Sequence, residues 1–130
     1  MKIFTTMDEN KTINYKPDDG PVTLQIKPGY ATLGSYSVAY ALNGQLLNLG
    51  SGKLSDTVPD VYTLPVSAEE LSECTFFITG NYMPSPTHDQ ISVSYTFLQK
   101  GLLLKGENPV EIMLQQPVLS SNHTINFNRT

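Results

Sequence analysis

Apolar and polar residues alternate with a period of two along most of the chain, the signature of strands with one buried face. Val22, Leu24 and Ile26 share one side and Thr23, Gln25 and Lys27 the other, bounded by Asp18-Asp19-Gly20-Pro21 and Pro28-Gly29. This reads as a strand between turns. Tyr36–Leu42 and Gln45–Leu49 flank Asn43-Gly44, the pair that supplies both positive-φ positions of a type I′ hairpin. Such a turn sets Leu42 opposite Gln45, Tyr40 opposite Leu47 and Val38 opposite Leu49, with Val38, Tyr40, Leu47 and Leu49 on one face. Further along, Cys74, Phe76, Ile78 and Tyr82 alternate with Thr75, Phe77, Thr79 and Asn81, and Ile91, Val93, Tyr95 and Phe97 alternate with Ser92, Ser94 and Thr96. The spacing predicts two strands joined as a hairpin by Met83–Asp89, stiffened by Pro84 and Pro86. Lys100-Gly101 reads as a turn, with strands after it at Leu102–Lys105, Val110–Gln115 and Thr124–Asn128. Residues 2–6, 11–15 and 61–64 carry the faintest strand pattern. Ser67 and Glu70 have capping-box spacing and Ala68–Ser72 has helical composition, so one short helical turn is expected at 67–72.

Short strands at this spacing predict an all-β, two-sheet antiparallel β-sandwich, immunoglobulin-like or jelly-roll-like, as a single domain over residues 1–130. A small closed barrel is the alternative. The expected core is Val22, Leu24, Ile26, Val38, Tyr40, Leu47, Leu49, Phe76, Ile78, Val93, Tyr95, Phe97, Ile112, Leu114, Ile125 and Phe127. Composition agrees: 11 Ser, 13 Thr and 9 Asn against only 15% charged residues is sheet and turn chemistry, not helix chemistry.

Charge narrows the function classes. Lys plus Arg number 8 against 12 Asp plus Glu, the single arginine is Arg129, and the lysines are scattered. Phosphate or base recognition needs arginine forks and clustered cations, so no nucleic-acid partner is expected. No anionic membrane surface is expected either. No apolar run exceeds Val38–Leu42, so neither membrane insertion nor a signal peptide is expected, and the chain reads as cytoplasmic at synthesis. The lone Cys74, within a strand pattern, reads as a small buried hydrophobe.

Catalytic constellations are scarce. The histidines are His88 and His123 only, and there is neither a G-x-S-x-G elbow nor a glycine-rich phosphate loop. Glu69, Glu70 and Glu73 read as the solvated side of the helical turn, not as a glycosidase pair. The chain is therefore expected not to be an enzyme and to need no cofactor. Two histidines without H-x-H or H-x-x-x-H spacing do not seed a metal site. The loop aspartates Asp18, Asp19, Asp56 and Asp60 are the residues a Ca²⁺ ion would use, but no EF-hand spacing links them and no metal is expected.

What remains is a non-catalytic interaction or assembly module, whose partner is another protein or a second copy of the chain. A component of a larger particle or secretion apparatus fits this composition. A carbohydrate-binding sandwich is the alternative, although sugar platforms favour tryptophan and the chain has none. Two features carry the interaction reading. Ala39, Ala41, Leu46, Phe77, Leu98 and Met113 fall on the side the alternation assigns outward. The Tyr82–Asp89 loop is conformationally restricted, so Tyr82, Met83, Pro84, Pro86 and His88 are the expected binding residues.

Overall fold

A computed structural model describes residues 5–54 and 58–130, and two β-sheets face each other across one hydrophobic core. In chain order the strands are β1 (Thr5–Tyr15), β2 (Val22–Gly29), β3 (Leu33–Leu42), β4 (Gln45–Leu54), β5 (Asp60–Thr63), β6 (Thr75–Met83), β7 (Ile91–Gln99), β8 (Leu102–Leu103), β9 (Lys105–Gly106), β10 (Val110–Leu114) and β11 (Val118–Arg129). The six-stranded sheet runs β4-β3-β6-β11-β1-β9, and the five-stranded sheet runs β10-β7-β2-β5 with β8 added beside β7. The all-β sandwich is therefore the fold. One detail departs from the antiparallel expectation: β1 and β11 pair in parallel over their whole length, so the larger sheet is mixed.

Among the described strands only β3–β4 and β7–β8 connect within one sheet; every other connection crosses to the opposite layer. This corrects the expected hairpin between the Cys74 and Ile91 segments. β6 lies in one sheet and β7 in the other, and the segment carrying Pro84 and Pro86, which lack the N–H a ladder needs, arches between them. The helical turn also shifts. A 3₁₀ turn spans Leu71–Glu73 and makes no side-chain cap, so the Ser67–Glu70 capping box does not form; Glu70 N–H instead donates to the Ser67 carbonyl at 3.0 Å. Leu71 is the residue this turn buries.

The Asn43-Gly44 turn is as the sequence predicts, with φ of 53° and 76°, and it pairs Leu42 with Gln45 and Tyr40 with Leu47. The register then slips by one residue. Ala39 opposes Asn48 but Val38 opposes Gly50, leaving Leu49 as the extra residue of a β-bulge. Val38 is fully buried, whereas Leu47 is 39% exposed and Leu49 only half-buried, so the expected four-residue apolar face exists only in part. Beyond the bulge, Gly50 and Gly52 face inward and make room for two rings from outside β4. A Cβ on Gly50 would lie 2.7 Å from the Tyr62 ring, and one on Gly52 2.7 Å from the Tyr36 hydroxyl. A larger residue at either position would push the two sheets apart at this edge.

Twelve of the sixteen expected core residues are buried, and Tyr40, Leu49 and Leu114 pack against the core from its margin. Phe127 anchors the centre, meeting Tyr15, Phe76 and Phe97 edge-on at centroid distances of 6.1, 5.6 and 5.4 Å. Such T-shaped contacts match ring edges to ring faces. Cys74 is buried as expected. Among the described residues no helix is long and apolar enough to cross a membrane.

Candidate interaction surfaces

The loop that links β6 to β7 is built as one unit with the turn between β2 and β3. Tyr30 and Ala31 both hold positive φ, 51° and 50°, and the turn is closed by Thr32, whose N–H and hydroxyl both donate to the Gly29 carbonyl at 3.0 and 2.6 Å. The Thr32 hydroxyl in turn accepts the Ser92 N–H at 3.0 Å, tying the turn to the start of β7. Tyr30 then lies against His88, ring centroids 5.8 Å apart at 38°. His88 Nδ1 is 3.1 Å from both the Ser85 and Thr87 hydroxyls, and Ser85 donates to the Tyr30 carbonyl at 3.4 Å. These contacts order the loop. Among the described residues no carboxylate hydrogen-bonds His88.

Of the five expected binding residues, Pro86 and His88 are exposed, Pro84 is half-buried and Met83 is 54% exposed. Tyr82 is not part of this surface. Its ring turns into the core at 2% exposure, over Gly80, and its hydroxyl meets that of Tyr95 at 2.5 Å. The reason is period-two geometry: Tyr82 shares the inward side with Phe76 and Ile78, so the loop begins one residue later. Burial pushes the Tyr95 phenol up to about 12 and the Tyr82 phenol higher still, so the pair stays neutral. Met83 looks instead towards Leu119, and with Pro117 they line a shallow apolar depression of about 230 Å³.

Of the outward apolar residues, Leu98 and Met113 fall on the five-stranded sheet, and the other four share the outer side of the six-stranded one. Register places Leu46 beside Ala41, and Ala39 beside Phe77, across β4, β3 and β6. Leu46, at 70% exposure, ends this strip at the free edge of the larger sheet. The two edges of that sheet differ in kind. On the β1 side, Glu9 and Lys11 point inward and pair at 3.4 Å, and β9 covers Ile13 and Asn14. Inward charges and a covering strand are devices that stop another chain from pairing with an edge. The β4 side has no charge from Gln45 to Gly52, and among the described residues no strand lies outside it.

Of the four aspartates considered for calcium, Asp56 lies outside the described residues. Asp19 pairs with Lys100 at 3.3 Å, and Asp60 accepts a 2.5 Å hydrogen bond from Tyr36, whose hydroxyl also meets that of Tyr62 at 2.6 Å. Among the described residues no three His, Cys, Asp or Glu side chains converge.

His123, set aside in the sequence with His88 as seeding no catalytic or metal site, has surroundings that the sequence did not show. It is fully buried at the centre of β11, edge-on to Tyr95 at 5.5 Å, with Nε2 3.3 Å from the Glu9 carboxylate but outside hydrogen-bonding geometry. Its inward position was readable from the alternation with Ile125 and Phe127. Glu9, 114 positions away in the chain, was not, because the parallel β1–β11 register sets the two side by side.

The chain matches no protein-family model, no curated protein and no solved structure.

Proposed function

We propose that this protein is a non-catalytic assembly module that joins a second copy of itself along the β4 edge. The observation that carries this reading is the uncharged edge from Gln45 to Gly52, unpaired among the described residues, with Leu46 and Leu47 exposed on its two sides. A two-fold pairing sets the same surface against itself, so an edge without charges meets no like-charge repulsion. The bulge at Leu49 bends the later half of β4, leaving Gln45–Asn48 as the regular stretch for pairing. Covering Leu46 contributes about 1–2 kcal/mol, and the outer strip of Ala41, Ala39 and Phe77 adds apolar area beside it. Pairing of this kind merges two six-stranded sheets into one, a geometry suited to a building unit of a larger particle. The shorter strands β5 and β10 at the margins of the other sheet offer less edge.

Light-scattering mass over a concentration series tests the proposal. The expected result is a mass that rises above 14.3 kDa with concentration and returns to the monomer value in Leu46→Lys. A monomer at every concentration, binding only a glycan, would defeat the assembly reading and favour the carbohydrate alternative.

A further inference from the structure

The β4 edge dictates the register in which another strand can join it. At the two-residue Asn43-Gly44 turn the flanking residues Leu42 and Gln45 exchange both ladder hydrogen bonds, and the direction of bonding then alternates along β4. Gln45 and Leu47 therefore turn their N–H and C=O groups to Leu42 and Tyr40 of β3, while Leu46 and Asn48 turn theirs to the free edge. The stretch is bounded at both ends. Gly44, at a φ of 76°, belongs to the turn, and Leu49 is the extra residue of the bulge. Tyr62 and Asp60 of β5, at the margin of the other sheet, reach β4 beyond the bulge, at Gly50 and Gly52.

A two-fold antiparallel pair must set edge-directed groups against edge-directed groups, which puts its axis on a residue and not between two. An axis at Gln45 or Leu46 sets Gly44, inside the turn, against Leu46 or Asn48. An axis at Asn48 sets Leu46 against Gly50, past the bulge. An axis at Leu47 sets Leu46 against Asn48 on both sides of it, so every edge-directed group of these residues finds a partner in both copies.

We infer that two copies of the chain join antiparallel about an axis at Leu47, with Leu47 against Leu47 of the second copy and Leu46 against its Asn48. This rests on the self-association proposed above and fixes how the copies meet. The Leu47 residues form a non-hydrogen-bonded pair across the axis, the kind in which Cα atoms approach to about 4.5 Å and side chains pack closest. Each Leu47, 39% exposed in the single chain, thereby covers the other. On the outer side, Leu46 and its neighbour Ala41 come into one row with Asn48 and Ala39 of the second copy, which joins the Leu46 end of one apolar strip to the Phe77 end of the other.

Disulfide crosslinking under mild oxidation, in full-length variants that each carry one added cysteine, tests the register. Cys74 is buried and adds no competing thiol. A disulfide needs Cβ atoms within about 4.5 Å, a reach that only position 47 has to its own copy. Positions 46 and 48 meet theirs diagonally, at roughly 7 Å. Leu47→Cys should therefore crosslink at least about tenfold faster than Leu46→Cys or Asn48→Cys alone, and a mixture of the latter two should form the mixed disulfide instead. The mixture leaves Leu47 unchanged, so it reads the register even where Leu47→Cys folds poorly. A faster Leu46→Cys or Asn48→Cys homodimer would overturn the register and leave self-association standing. So would crosslinking rates equal to those in denaturing urea while the light-scattering mass of the parent still rises. A parent that is monomeric at every concentration would overturn both.

Discussion

His123 shows how one side chain can couple stability to pH. Burial pushes its imidazole below the usual range, against the pull of Glu9 and Asp8, with Lys11 adding to the downward push. Tyr95, the ring packed against it, stays neutral. The unfolded chain takes up this proton at about pH 6.5, while the folded chain resists it to lower pH. Stability is therefore fully present above about pH 6.5 and lost as pH falls below it. The melting temperature should decline between about pH 7.5 and about pH 5.5 in the parent and decline less in His123→Phe. Equal slopes in the two proteins would contradict the account. Aromatic truncations sort by position in the same way. Phe76 and Phe97 are buried at the centre, so replacing either by Ala should cost about 3–5 kcal/mol. Tyr40 sits at the core's margin, stacked on Phe76 at 5.3 Å, and its truncation should cost less than half as much. Urea midpoints for the three variants check the order, and a Tyr40→Ala loss equal to that of Phe76→Ala would contradict it.

At the scale of elements, what the sequence made legible was whatever local chemistry decides. The β2 and β7 alternations and the Asn43-Gly44 turn are all present as read. What it hid depends on the rest of the molecule. The bulge at Leu49 directly precedes Gly50 and Gly52, where the Tyr62 and Tyr36 rings leave no room for a Cβ, and those rings come from other strands. The alternate glycines in Gly50-Ser51-Gly52 were the available signal of a close approach. Leu102–Lys105 reads as one strand, yet β8 pairs with β7 and β9 with β1, because a short apolar run carries no mark of which neighbour it will meet. The candidate surfaces divide likewise. The exposed Met83 and His88 were readable from the proline-bearing loop and the outward Leu46 from alternation, whereas an open edge is a property of strand order, which no local pattern encodes. Gly34 offers a sharp test of the β3–β6 contact. It holds a φ of 151°, and a Cβ there would fall 2.1 Å from the Asn81 carbonyl oxygen. Backbone cannot yield as a flexible side chain does, so Gly34→Ala should destabilise by at least about 2 kcal/mol, read from the urea midpoint. A parent-like midpoint would show that the two strands are farther apart than this.

For the whole molecule, the proposed self-association rests on the contrast between the two edges of the six-stranded sheet. One edge carries the inward Glu9–Lys11 pair and the covering β9, and the other presents uncharged β4 with Leu46 at the end of an apolar strip. A closed two-fold pair consumes the open edge and leaves the charged edges outermost, so association should stop at a dimer instead of running on to fibres. The most direct measurement is residue-resolved amide hydrogen exchange at low and high protein concentration. The account predicts that the outward-pointing amides of Gln45–Asn48 exchange freely when dilute and become protected as concentration rises, with β1 amides from Thr6 to Lys11 unchanged. Concentration-independent exchange along β4, or protection that grows on β1 instead, would contradict it.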